Sequence, residues 1–174
     1  MVKHDLLANK KIVITGSARG LGRDFATAIG LAGASVLLAD ILTDLVQKTA
    51  EDLRAQGIDA QAVPLDLAQE ASIQSVAEWA QTHWGHVDGL INCAALATGV
   101  GGKDMMDYDP DLWDRVMNIN VKGTWLMTQA LVPLVKQSEA GKVVNIASDT
   151  ALWGAPKLMA YVASKGAIIS MSRS

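Results

Sequence analysis

Tyr161 and Lys165 stand four positions apart, and Ser148 precedes the tyrosine by thirteen. Four residues is just over one helical turn, so the phenol and the ammonium share a helix face. Together the three side chains could move a proton. A free phenol titrates near ~10, too high for a base at neutral pH. A neighbouring lysine cation favours the phenolate. Bringing it near neutrality takes about 4 kcal/mol, within reach of a fixed charge in a dry site. The Ser148 hydroxyl can then hold a substrate oxygen beside the phenol. Tyr-x-x-x-Lys alone is a common chance spacing, and its weight comes from the other end of the chain.

There an apolar run, Lys11–Thr15, leads into Thr15-Gly16-Ser17-Ala18-Arg19-Gly20-Leu21-Gly22, followed by the helical spacing of Leu21, Phe25 and Ile29. Strand, glycine turn and helix in that order provide the setting of a phosphate-binding turn. Gly16 is expected to permit the turn, Gly20 to admit a pyrophosphate, and Gly22 to let the helix pack closely. A second strand, 35–39, ends in Asp40, whose carboxylate can accept both hydroxyls of an adenosine ribose and would repel a 2′-phosphate. NAD is therefore expected over NADP, with Arg19 the one residue arguing for the phosphate. Strand 60–65 delivers Asp66 and Leu67 to the adenine, and strand 88–91 delivers Asn92 to brace the loop beside the cofactor. Asp66 by itself reads more as a turn or helix-capping residue than as a ligand contact.

The elements that must position these groups alternate along the chain. Helices are expected over 41–56, 69–84 and 157–174, and a further strand over 142–147. Asp109-Pro110 reads as a cap with proline in the first turn, opening a long helix through Trp113, Val116 and Trp125 that Pro133 kinks or ends. Such alternation predicts right-handed βαβ crossovers and a doubly wound parallel sheet. Residues 96–107 and 150–156 are the loops expected to set substrate choice, with Trp153 and Leu158 as an apolar wall.

Taken together, these motifs resemble the short-chain dehydrogenase/reductase family, in the subgroup whose turn reads TGxxxGxG, matched at residues 15–22. The likeness runs along nearly the whole chain and implies a Rossmann-type, three-layer αβα fold. The family's catalytic Asn, Ser, Tyr and Lys fall on Asn120, Ser148, Tyr161 and Lys165. By this resemblance Tyr161 is the acid/base on an alcohol or carbonyl oxygen and Ser148 orients that oxygen. Lys165 holds the nicotinamide ribose and lowers the tyrosine pKa, and Asn120 keeps a water in line for proton relay. Gly16, Ser17, Arg19, Gly20, Leu21, Gly22, Asp40, Ile41, Asp66, Leu67, Asn92 and Ala94 would line the cofactor together with Tyr161 and Lys165. The implied assembly is a homodimer or homotetramer built on the helices carrying Asn120 and Tyr161.

Two departures stand out. Where the family commonly has Asn-Asn-Ala-Gly, this chain has Asn92-Cys93-Ala94-Ala95. The chain also stops at Ser174, nine residues after Lys165, whereas family members continue with two more strands, a helix and a substrate lid. The sheet is expected to lack its last strands and to leave 142–147 as an apolar edge, the mark of a fragment of a longer enzyme.

The bulk properties agree with one globular domain over residues 1–174. Half the residues are hydrophobic, 19% are charged and the formal net charge is −3. Nothing in that balance suggests nucleic acid or an anionic membrane. The one cysteine, Cys93, excludes an internal disulfide, and His4, His83 and His86 do not make a metal-ligand pattern. Residues 1–9 lack the apolar core of a signal peptide, and no run reaches membrane-spanning length, so a cytoplasmic enzyme is expected. The substrate is not readable: a secondary alcohol, polyol or sugar, steroid-like ring or 3-oxoacyl thioester all fit. A nucleotide-binding regulatory relative without turnover is the competing reading. A sugar-nucleotide epimerase or dehydratase ranks below both.

Overall fold

A computed structural model describes residues 5–174; His4 lies outside them. The strands are β1 (Lys11–Thr15), β2 (Ser35–Asp40), β3 (Ala60–Pro64), β4 (Gly89–Asn92) and β5 (Lys142–Asn145). All pair in parallel, in the order β3-β2-β1-β4-β5. Between them run α1 (Gly20–Leu31), α2 (Thr43–Arg54), α3 (Glu70–Trp84), α4 (Pro110–Met117), α5 (Thr124–Val135), the short α6 (Thr150–Trp153) and α7 (Met159–Met171).

Residues of the inner strands β1 and β2 are apolar on both faces because both faces are covered. Ile12, Ile14, Val36 and Leu38 pack with Ala26, Val46, Ala50 and Leu53 of α1 and α2. Their alternates Val13, Leu37 and Ala39 pack with Ile73, Val76, Met127 and Leu131 of α3 and α5. The result is the three-layer αβα fold expected from the alternation. The chain leaves β1 toward one side of the sheet and β4 toward the other, so the crevice between those two strand ends is the topological switch point.

The elements differ from expectation mostly at their ends. β3 stops at Pro64 and β5 at Asn145, β4 begins after Asp88, α7 spans only Met159–Met171, and residues 150–156 include α6. The cap at Asp109 forms, its carboxylate accepting from the Asp111 amide at 3.0 Å with Pro110 in the first turn. The long helix after it is not uniform. Residues Asn118–Gly123 form a π-helical segment between α4 and α5, and Pro133 sits inside α5 two residues before its end. β5 forms a sheet edge, with Val144 47% exposed.

At the opposite end of the sheet, Asp88 ties three elements together. Its carboxylate accepts from the Lys11 amide at 3.0 Å, the Lys10 ammonium at 3.1 Å and the Ser138 hydroxyl at 2.6 Å. His86 stands 3.5 Å away. Burial alone would push this carboxyl up, but the bonds from Ser138, the Lys11 amide and Lys10 outweigh it and hold it below the ordinary carboxylate value. A depressed folded-state value means stability that is present above the unfolded value near ~4 and is lost as pH falls through the folded one. Asp88→Asn should therefore cost about 1.5–3 kcal/mol at pH 7. In urea denaturation the gap between the two proteins should close as the pH drops below about 4.

Candidate active site

The glycine turn is built from contacts that exclude side chains. Gly16 has φ +69°, and a Cβ there would lie 2.6 Å from the Ala94 Cα and 2.7 Å from its nitrogen. A Cβ on Gly22 would collide with the Gly16 carbonyl, so helix α1 begins pressed against the turn. Gly20 is different: it needs its positive φ of +57°, but nothing lies within 4 Å of where its Cβ would be. That open side leaves the first turn of α1 accessible. Arg19 precedes the helix without a side-chain cap, and the first turn carries no acidic residue. Its unpaired amides and positive dipole end remain for an anion.

Ser17 does not present its hydroxyl as a ligand group. The residue is fully buried, and the hydroxyl donates to the Ile14 carbonyl at 2.9 Å. Leu21 and Ile41 are exposed beside the turn and the end of β2. Asp40 is 8% exposed. Its Oδ2 accepts from the Ala18 amide at 2.9 Å and its Oδ1 from the Leu42 amide at 3.0 Å, so the acid also stiffens the turn. It borders a cavity of about 230 Å³ with Ile41, Asp66, Leu67, Ala94, Ala95, Leu96, Arg115 and Ile119. Arg115 was not legible beforehand, since nothing about a charged residue on α4 marks it as facing β2. The turn role expected for Asp66 is real: its Oδ1 accepts from the Ala68 amide at 2.9 Å. Asn92 is buried and bonds sideways to Thr128 at 2.9 Å and Asn145 at 2.8 Å, a brace inside the sheet.

Thr15 proves as important as the glycines. Its buried hydroxyl oxygen accepts from the Cys93 and Ala94 amides, both at 3.1 Å.

Tyr161 and Lys165 both lie on α7. Lys165 is 4% exposed and donates to the Ile146 carbonyl at 2.6 Å. Its Nζ lies 5.8 Å from the centroid of the Tyr161 ring. Burial pulls this ammonium below its ordinary value, opposed in part by the Cys93 sulfur. The Cys93 thiol is pushed up by burial, with Lys165 opposing and Asp40 adding to the shift.

Ser148 bonds to the Thr150 hydroxyl at 2.8 Å and lies 3.4 Å from an Asp149 oxygen. Asn120 is buried in the π-helical segment. Its Oδ1 accepts from the Leu96 amide at 2.7 Å, and its Nδ2 donates to the Leu96 carbonyl and the Ser164 hydroxyl, both at 3.1 Å. Ser164 in turn donates to the Tyr161 carbonyl at 2.7 Å. Nothing in its residue type or spacing marks this serine, which locks Asn120 to the helix of Tyr161 and Lys165. Asn120 therefore holds the 96 loop and α7 together through its side chain.

Among the described residues no group of three or more His, Cys, Asp or Glu could hold a metal ion, and no helix is long and apolar enough to cross a membrane.

Residues 10–174 match the family model described as short chain dehydrogenase. The chain is 35% identical over 167 residues to 2-(S)-hydroxypropyl-CoM dehydrogenase 3 of Xanthobacter autotrophicus, covering 96% of this chain and 64% of the relative. A short chain dehydrogenase from Shigella flexneri, solved with NADP, superposes with a TM-score of 0.90 at 32% identity, covering 97% of this chain and 71% of that one. A Burkholderia phymatum short chain dehydrogenase/reductase, solved with NAD, also gives 0.90, at 30% identity, covering 99% and 60%. The chain spans about two thirds of the length of these proteins.

Gly16→Ala should be among the most damaging small substitutions here. Backbone strain alone costs about 1–3 kcal/mol, and the collision with Ala94 adds to it. Thermal denaturation should show a lowered midpoint, and fluorescence titration a loss of dinucleotide affinity beyond what Gly20→Ala causes.

Proposed function

Since this chain belongs to the short-chain dehydrogenase family, we propose that it works as an oxidoreductase moving hydride between NAD(H) and a small alcohol or its carbonyl counterpart. The observation that carries the reading is the pairing of two features in one chain: a glycine turn with Asp40 bonded to it, and on α7 the Lys165 ammonium 5.8 Å from the centroid of the Tyr161 ring. The relative named for a hydroxypropyl dehydrogenase activity supports a secondary alcohol as the reacting group.

The residues fit a nicotinamide dinucleotide. The amides of the α1 first turn suit a pyrophosphate, the open side of Gly20 admits it, and Asp40 stands where a ribose would need acceptors. The cavity beside Asp66 and Leu67 suits an adenine. When bound, the nicotinamide supplies or accepts the hydride. Tyr161 donates a proton to the carbonyl oxygen in reduction and takes it from the hydroxyl in oxidation. Its ring stands beside the Lys165 ammonium, whose Nζ lies 5.8 Å from the ring centroid. Ser148 donates to or accepts from the same substrate oxygen and so fixes its distance from the phenol. Asn120 holds the geometry of α7 and the 96 loop, the precondition for a water-mediated proton path to solvent.

The preference for NAD rests on the Asp40 carboxylate, a like charge to any 2′-phosphate. Solved relatives carry either cofactor, so it is the residue at this position that supports the choice. NADH should bind at least about tenfold more tightly than NADPH, since a hydrogen bond to a charged acceptor is worth roughly 1.5–3 kcal/mol. Asp40→Asn keeps one acceptor for the turn amides and should narrow the ratio in a fluorescence titration with both nucleotides. An unaltered ratio would remove Asp40 from this role.

Tyr161→Phe tests the chemistry. In the protein carrying its complete natural sequence, turnover should drop by more than about 100-fold, in line with loss of a general acid/base. NADH affinity should remain within about twofold. Retained turnover would overturn the acid/base assignment. Tight NADH binding with no turnover of any alcohol or ketone by the unmodified protein would favour the regulatory reading.

A further inference from the structure

Beyond Ser148 the chain sets out a short row of polar groups that the hydride-transfer chemistry does not use. Asp149 precedes α6, and its Oδ2 accepts from the Trp153 indole Nε1 at 3.3 Å. Its Oδ1 lies 3.4 Å from the Ser148 hydroxyl. The Thr150 hydroxyl bonds to the same serine oxygen at 2.8 Å, and the Thr150 amide donates to it at 3.3 Å. Helix α6 rests on α7, which carries Tyr161. Asp149 is exposed and Trp153 is 61% exposed.

The chemistry of this row is specific. A carboxylate accepts about four hydrogen bonds. Both bonds to Asp149 are longer than the ~2.7–2.9 Å of a strong charge-assisted bond, so its lone pairs are weakly used. From the serine outward the surface offers hydroxyl, hydroxyl, carboxylate and then an indole face whose orientation the Asp149–Trp153 bond helps to fix. A chain or ring carrying several hydroxyl groups matches that order, with O–H donors for the carboxylate and C–H faces for the indole. A carboxylated, phosphorylated or thioester-linked anionic substrate does not, because it would bring a second negative charge to Asp149. The basic side chain of the neighbouring loop, Lys157, is paired with Asp104 at 3.5 Å.

We propose that the substrate is a neutral polyhydroxylated alcohol or its keto form, with Asp149 holding a hydroxyl beyond the reacting carbon and Trp153 covering the carbon chain. The proposal rests on the oxidoreductase reading above. It makes Asp149 a substrate-binding residue and Thr150 its neighbour in positioning Ser148.

The test is steady-state oxidation by the protein with its complete natural sequence, using NAD⁺, a panel of D-sorbitol, D-mannitol and ribitol, the single-hydroxyl probe cyclohexanol, and the anionic probe D-gluconate. The best polyol should exceed cyclohexanol in kcat/KM by at least about tenfold. Asp149→Ala should reduce that ratio by about tenfold, chiefly through KM for the polyol. Asp149→Asn, which keeps an acceptor but not the charge, should recover part of the polyol KM and improve D-gluconate relative to the polyol. A ratio indifferent to Asp149→Ala, or D-gluconate preferred over every neutral polyol by the unmodified protein, overturns the proposal. Tyr161-dependent oxidation of cyclohexanol with no Asp149-sensitive preference would sink this inference alone. Absence of any Tyr161-dependent turnover would sink the oxidoreductase reading and this inference with it.

Discussion

The hydroxyl of Thr15 holds the carboxyl edge of the sheet together. The connections that follow β1 and β4 leave there toward opposite faces, and a sheet opened at that point would have no cleft of fixed shape. By accepting the Cys93 and Ala94 amides at once, Thr15 keeps Ala94 against Gly16, at a distance no side chain on Gly16 could tolerate. The same contact sets where α1 starts, because Gly22 packs on the Gly16 carbonyl. Asp40 closes the arrangement from the other side through the Ala18 amide. The turn is thus held by hydroxyl, carboxylate and backbone contacts from three strands.

Around that fixed edge, the charged groups are arranged by burial more than by direct pairing. Lys165 is nearly enclosed and bonded to a neutral carbonyl instead of a carboxylate. Its nitrogen lies 5.8 Å from the centroid of the Tyr161 ring, the nearest aromatic group to it on α7. Asp40 likewise has amide partners, Ala18 and Leu42, which fix its orientation. A site in which both ions are satisfied by dipoles can act on an incoming ligand without first breaking an ion pair.

Much of this was legible from residues alone. Apolar runs bounded by Asp40, Asp66 and Asn92 marked strands and their ends, because a strand buried on both faces shows as continuous hydrophobicity and stops where polarity returns. The glycines of residues 15–22 marked the turn. What escaped was information carried by long-range side-chain bonds. Ser164 looks like any small helix residue, and its meaning comes from Asn120, 44 positions away. Ser17 looked like a ligand group, but its hydroxyl turned inward to Ile14. Arg115 reads as a solvated helix charge, since its place at the cavity depends on how α4 crosses the strand ends. The π-helical segment escaped for another reason: Trp113, Val116 and Trp125 read as the stripe of one long helix that Pro133 kinks or ends.

That stripe is divided in space. Val116 packs with Tyr108 and Ala160, while Met127 and Leu131 pack with the sheet-facing core. A wide turn takes up an extra residue without the ~100° of rotation that residue would add in an α-helix. The segment 118–123 therefore acts as a phase shifter between two helices of different allegiance. Regular α-helical winding through the same residues would instead turn α5 by ~100° about its axis. Met127 and Leu131 could then no longer reach the sheet while Val116 kept its own partners. The winding of this stretch is thereby tied to the packing at both of its ends, whereas the neighbouring loops can vary in length at little cost.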